Sequence, residues 1–145
     1  ISEENEKLIR VAKESFFEGL KLCRPGFRLG DVSYAIQNHV ESNGFSVIRD
    51  FVGHGVGHDL HEDPQIPNYG KAHHGPKLVP GMVLAIEPMI AAGDWDVDIL
   101  ENNWTAVTVD GSFAAHYENT VVITADGPRI LTLEPDEGGL INGKE

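Results

Sequence analysis

The sequence is poor in cysteine, which limits the kinds of site that it can build. Cys23 is the only cysteine among 145 residues. An internal disulfide and a zinc cluster of several cysteines are therefore excluded. A lone thiol is typical of a small core residue in a reducing compartment, so we expect Cys23 in the core and the protein in the cytoplasm.

Positive charge is also scarce. The 11 Lys and Arg residues are outnumbered by 23 Asp and Glu residues, which gives a formal net charge of −12 at pH 7. A surface of this sign repels the phosphates of nucleic acids and of anionic lipids. We therefore expect neither a nucleic acid nor a membrane as the main partner.

Long apolar runs are missing as well. No run approaches the roughly 20 residues that a membrane-spanning helix needs, and the N-terminal region is too charged for a signal peptide. The apolar fraction of 41% is enough for one core. The composition thus predicts a single soluble domain.

Two amphipathic helices are predicted at the start of the chain. Over residues 4–23 the apolar residues recur every four positions, and Ser2 is a candidate cap for the helix start. A second apolar stripe begins after Gly30 and Asp31 and runs up to Gly44.

Short β-prone runs follow the helices, at 45–52, 82–90, 105–109, 113–124 and 130–133. Runs of this length favour an antiparallel sheet. The stretch 53–80 is rich in Gly, His and Pro. It is too long for a loop that only connects two elements of a compact domain, so we predict a functional loop there. The last ten residues are predicted to be a frayed tail.

Histidines cluster in that predicted loop. Five of the seven lie between His54 and His74. Gly53, Gly55 and Gly57 surround the first one and would let a tight turn hold His54 with little crowding. A phosphate-binding loop is the rival interpretation of this glycine pattern, but the Gly-Lys-Ser/Thr ending of such loops is absent.

Two carboxylates interrupt apolar runs further along the chain. Glu87 and Glu118 each have neighbours that favour burial, and a buried carboxylate is costly unless it is paired or bound to a metal ion. Either residue alone is equally consistent with the exposed face of an edge strand. Together with His54, they form a His/Glu/Glu set that suits a catalytic divalent ion.

The three segments, in this order and at these separations, resemble the C-terminal signature of type I methionine aminopeptidases. These metallopeptidases have the pita-bread fold, so the resemblance implies an α+β structure in which an antiparallel sheet is covered by two helices. The resemblance extends from the first helix to the strand near Leu133. Prolidase-like and creatinase-like relatives share the fold, but the segments around Glu87 and Glu118 are more similar to the methionine-specific branch.

The resemblance also implies roles for individual residues. His54, Glu87 and Glu118 match metal ligands, and Glu87 further matches the carboxylate that shuttles a proton during catalysis. His61 matches a catalytic histidine that binds the substrate at its scissile amide.

Two further positions match the substrate pocket. Trp104 corresponds to a tryptophan that lines the pocket for the methionine side chain. Leu60 stands beside the substrate histidine, where many bacterial members have phenylalanine. A second departure from the family's pattern is Asn119, at a position where the family often has histidine.

The implied activity is removal of the N-terminal methionine from nascent proteins by a usually monomeric enzyme with Mn, Fe, Co or Zn. The family takes two aspartates and a further histidine from strands that precede the first helix seen here. We therefore interpret residues 1–145 as the C-terminal portion of the catalytic domain without its N-terminal strands, and expect at most one metal ion and little or no activity. Two alternatives stay open, a non-catalytic protein- or peptide-binding module and a half-domain that dimerises.

The remaining candidates are weaker. Asp94, Asp96 and Asp98 mimic the start of a calcium loop, but Ile99 stands where that loop needs glycine, so a solvated hairpin is expected. His39 is expected at the surface or at the edge of the core, and His73 and His74 are expected to be solvated. His58 leaves a structural zinc site open, and His116 is a candidate for the cleft.

Overall fold

The computed structural model describes residues 2–49, 53–57, 62–93, 97–99, 106–108, 110–132 and 140–142. It contains two helices, α1 (Glu3–Leu20) and α2 (Leu29–Ser42), followed by short strands. The α+β composition expected from the sequence is thus confirmed. No helix in these ranges is long and apolar enough to cross a membrane.

The start of α1 is capped as predicted. The Ser2 hydroxyl accepts a hydrogen bond from the backbone N–H of Asn5 at 3.1 Å, which satisfies one of the free donors at a helix start. The second helix begins at Leu29, slightly earlier than expected, because the Asp31 carboxylate accepts the backbone N–H of Arg28 at 2.8 Å. Desolvation raises the pKa of Asp31, but backbone hydrogen bonds from Arg28 and His73, with the charges of both residues, lower its pKa overall.

Within the described ranges, eleven strands follow the helices. They are β1 (Ser46–Val47), β2 (Gly53–Gly55), β3 (Glu62–Ile66), β4 (Val83–Ile86), β5 (Met89–Ala91), β6 (Val97–Ile99), β7 (Ala106–Thr108), β8 (Phe113–His116), β9 (Asn119–Thr124), β10 (Gly127–Ile130) and β11 (Leu140–Asn142).

The strands form three antiparallel sheets. A five-stranded sheet has the order β10-β9-β4-β2-β3, a four-stranded sheet has the order β1-β5-β8-β11, and β6 pairs with β7 alone in a third. The helices lie on the four-stranded sheet, where α1 contacts β5 and β8 and α2 contacts β1. This is the predicted cover of two helices over antiparallel strands.

Two predicted runs change sheet in the middle. The run 82–90 is divided into β4 and β5 at Glu87 and Pro88, and the run 113–124 is divided into β8 and β9 at Tyr117 and Glu118. In both cases the first and second halves belong to different sheets. Proline has no N–H to donate to a ladder, which explains the first break.

Several local predictions were wrong. The stretch 53–80 contains β2 and β3, and the predicted tail contains β11, which pairs with β8. The strand predicted at 130–133 lies at Gly127–Ile130 instead. Pro64 in β3 hides that strand from a sequence pattern, and the structure places β3 at a sheet edge, where proline is tolerated.

The main core lies between the helices and the sheets. Tyr117 and Phe16 are fully buried, and their ring centroids are 5.4 Å apart. Cys23 is also fully buried, and desolvation raises the pKa of its thiol to about 12, against the smaller lowering effect of Arg24. Cys23 is therefore the core residue that was predicted.

Candidate metal centre

His54 is held on an inner strand of the five-stranded sheet. It lies on β2, opposite Ala85 of β4 and Gln65 of β3. A Cβ atom at Gly53 would lie 2.3 Å from the backbone oxygen of Ala85, so glycine is needed for the close approach of β2 to β4. The predicted tight turn was wrong, because the glycines around His54 serve a close strand contact here.

The two glutamates come together because neighbouring strands change sheet at the same level. Ile86 pairs with Asn119 before the change, and Met89 pairs with His116 after it. Glu87 lies inside the interval that these two pairs enclose. Glu118 lies in the same interval, and both residues lie outside the regular strands there.

The structure brings the three predicted ligands into one cluster. One ligand atom from each of His54, Glu87 and Glu118 lies within 4.8 Å of the others. His54 Nε2 is 3.7 Å from Glu87 Oε1. Among the residues that the structure describes, this is the one group of three or more candidate ligands.

The orientation of the His54 ring suits metal binding. Its Nδ1 lies 3.1 Å from the carbonyl oxygen of Gly55, and a carbonyl oxygen can only accept, so Nδ1 carries the proton of that bond. In the neutral ring Nε2 then carries the lone pair, and Nε2 faces Glu87. Backbone carbonyls orient ligand histidines in this way in many metal sites.

The carboxylates repel each other in the metal-free chain. Desolvation first, and then the nearby charge and hydrogen bond of Glu118, together raise the pKa of Glu87 to about 7. A divalent cation between the two groups would remove this repulsion. One imidazole nitrogen and two carboxylates also match the ligand preferences of Mn, Fe, Co and Zn, so the residues present fit such an ion.

One buried amide contacts Glu87, and another lies next to Glu118 in the chain. Asn68 Nδ2 donates to the backbone carbonyl of Glu87 at 3.1 Å. Asn119 Nδ2 donates to the Tyr117 hydroxyl at 3.1 Å, and the Thr132 hydroxyl donates to Asn119 Oδ1. Sequence reasoning missed Asn68 and Thr132, because neither lies near a ligand in the sequence.

The other site predictions concern five further residues. His61, Leu60 and Trp104, together with His58, lie outside the described residues. His116 is half-buried at the end of β8 and is not among the clustered ligands.

Two histidines have partners of their own. His39 Nε2 lies 3.0 Å from Glu14 Oε1. The side chain of His73 is 89% exposed and its Nδ1 lies 3.4 Å from Asp31 Oδ1. Neither residue takes part in the cluster, which agrees with the surface positions expected for them.

A histidine and two glutamates that meet where strands pass between two antiparallel sheets define a protein with a candidate site for a divalent metal ion. The model of Metallopeptidase family M24 matches residues 1–125, and the chain belongs to this family.

Comparisons with individual proteins agree with this membership. The chain is 59% identical over 133 residues to a methionine aminopeptidase of Clostridium perfringens, covering 92% of this chain and 53% of the relative. It is 57% identical over 132 residues to methionine aminopeptidase 1 of Bacillus subtilis, covering 91% of this chain and 53% of that relative. The chain thus spans about half the length of the curated relatives that it matches.

A solved structure gives the same result. The methionine aminopeptidase of Thermotoga maritima superposes with a TM-score of 0.89 at 58% identity, covering 92% of this chain and 53% of that one. The resemblance to methionine aminopeptidases and the pita-bread fold inferred from the sequence are confirmed.

Proposed function

We propose that this chain is the metal-ligand-bearing part of a methionine aminopeptidase, which removes the N-terminal methionine of proteins or peptides. The observation that carries the proposal is the cluster of His54, Glu87 and Glu118 on a pita-bread fold. The relatives named methionine aminopeptidase support the choice of substrate. A non-catalytic binding module would have no use for an intact ligand set.

Three residues would hold the ion. We assign His54 Nε2 and one carboxylate oxygen each of Glu87 and Glu118 as ligands, and propose one ion per chain from Mn, Fe, Co and Zn. A divalent ion in such a site supplies Lewis acidity, which activates water and polarises a carbonyl group.

The remaining roles are assigned to residues of this chain by the resemblance. Glu87 would move the proton between water and the leaving amine. His61 would donate to the oxygen that develops charge, an interaction worth about 2.7–4 kcal/mol for one well-placed donor. Trp104 and Leu60 would bound the pocket for the methionine side chain.

The wider setting is also a proposal. We propose that residues 1–145 act as the C-terminal portion of a larger catalytic domain, since relatives of about twice the matched length carry the name of the activity. A cytoplasmic location is supported by the single cysteine. By itself the chain should hydrolyse Met-peptides weakly or not at all, so metal binding is the direct test.

Isothermal titration of the metal-free chain with Mn²⁺ and Co²⁺ tests the proposal. We expect one ion per chain, with binding abolished in His54→Ala and in Glu118→Ala. His39→Ala is the matched control, because His39 also contacts a glutamate at 3.0 Å but lies outside the cluster, and it should bind as the wild type does. The proposal fails if the wild-type chain binds no ion or if the two ligand variants bind normally.

A further inference from the structure

Asn68 makes a contact that no pattern in the sequence predicts. It follows β3 by two positions and is fully buried. Its Nδ2 donates to the backbone carbonyl oxygen of Glu87 at 3.1 Å, across a separation of 19 residues. The contact therefore joins two distant segments at a residue that belongs to the candidate metal centre.

The Glu87 carbonyl lies at a place where the sheet gives little support. Glu87 and Pro88 separate β4 from β5, and ladder pairing is interrupted between the Ile86 and Met89 registers. A buried carbonyl without a partner costs free energy, so the position needs a donor from elsewhere. The Asn68 amide supplies it.

The direction of the amide is fixed by this contact. Turning the amide over would place Oδ1 against the Glu87 carbonyl oxygen, and two acceptors repel each other. In the direction observed, Oδ1 is buried and has no hydrogen-bond partner among the residues that the structure describes. The buried Asn68 amide thus uses its donor and not its acceptor, and a buried polar atom without a hydrogen bond needs an explanation other than general stability.

The contact also connects the elements that carry two ligands. Asn68 follows β3, and β3 pairs with β2 through Gln65 and His54. The hydrogen bond from Asn68 thus connects the strand pair β2–β3, which carries His54, to the break between β4 and β5, which carries Glu87. The facing atoms of those two ligands are 3.7 Å apart.

We infer that Asn68 is a positioning residue for the metal centre, which holds Glu87 in place relative to His54 through the Glu87 backbone. The inference rests on the proposed function, since it assigns Asn68 a role toward the ion that the cluster would hold. Partners that orient metal ligands typically contribute about 10- to 100-fold to metal affinity.

The test compares three chains in the metal-free form. Asn68→Leu keeps the approximate shape of the side chain and removes the donor. Asn43→Leu is the matched control, because Asn43 Nδ2 also donates to a backbone carbonyl, that of His39 at 2.8 Å, away from the cluster. Titration with Mn²⁺ and Co²⁺ gives the affinities, and the visible spectrum of the Co²⁺ form reports the number and geometry of ligands.

We expect Asn68→Leu to bind about 10- to 100-fold more weakly and to show an altered Co²⁺ spectrum. Asn43→Leu should match the wild type in both readouts, even where thermal unfolding without metal shows that it has lost stability. Should Asn68→Leu fail to fold, Asn68→Ser replaces it, since the serine hydroxyl ends one bond short of the amide nitrogen and adds no bulk.

The outcomes distinguish failure of the positioning role of Asn68 from failure of the proposed function. If the wild-type chain binds metal and the foldable Asn68 variant matches it in affinity and spectrum, the positioning role is overturned and the proposed function survives. If the wild-type chain itself binds no ion, both are overturned.

Discussion

Glu87 and Glu118 lie side by side at the two points where the chain passes between the five-stranded and the four-stranded sheet, in opposite directions. The register on either side, Ile86 with Asn119 and Met89 with His116, keeps the two changes level. Two carboxylates are thereby placed together in a partly desolvated site. The candidate ligand set therefore depends on the alignment of the two strand breaks, β4/β5 and β8/β9, as well as on the two residues themselves.

This proximity predicts the pH dependence of the metal-free chain. Desolvation and Glu118 raise the pKa of Glu87 from 4.5 to about 7, so between these values the folded chain binds more protons than the unfolded chain. The contribution of Glu87 to the free energy of unfolding is then fully present below pH 4.5 and is lost as the pH rises through about 7.

Thermal unfolding in a chelator, from pH 5 to 8, measures this effect as the difference between wild type and Glu87→Gln. The wild type should lose more stability than the variant as the pH rises, because glutamine does not titrate. Parallel curves for the two chains would show that Glu87 is not perturbed in this way.

A methyl group at Gly53 should disturb the ligand histidine. Gly53→Ala places a Cβ 2.3 Å from the Ala85 oxygen, which forces β2 away from β4 and shifts His54. We expect a loss of about 1–3 kcal/mol in stability and about 10-fold or more in Mn²⁺ affinity.

Gly30→Ala is the matched control for that variant. A Cβ at Gly30 would lie 2.2 Å from the backbone oxygen of Lys71, a comparable clash at a site away from the ligands. It should lower stability similarly and leave the affinity of the folded chain unchanged. Equal losses of affinity in both variants would mean that Gly53 acts through general stability alone.

The buried hydroxyl of Tyr117 should stabilise the strand that follows Glu118. Tyr117→Phe leaves the buried Asn119 amide without the acceptor that lies at 3.1 Å, and an unsatisfied buried donor costs about 1–3 kcal/mol. Urea unfolding measures the change. Tyr34→Phe is the control, because it removes a hydroxyl from a residue that is 48% exposed, and it should change stability by less than about 0.5 kcal/mol. An equally small change in Tyr117→Phe would contradict the prediction.

Much of the architecture could be predicted because its cause is local. The apolar stripes of both helices and the Ser2 cap are properties of neighbouring residues, and α1 and α2 were found where those patterns indicated. The strands β2 and β3 were missed because glycine and proline normally interrupt strands. They form here because β4 lies alongside β2 and the edge position of β3 tolerates Pro64.

The sequence by itself determined the chemistry that is available: one histidine surrounded by glycines, two carboxylates in apolar runs, and too few cysteines for a zinc cluster of several cysteines. Residue type and near neighbours decide those features, and the resemblance to methionine aminopeptidases rests on them. Only the tertiary structure decided that His54, Glu87 and Glu118 meet, and that Asn68 reaches the Glu87 carbonyl. Such contacts depend on strand register and on where strands change sheet, which are set by packing between segments far apart in the chain.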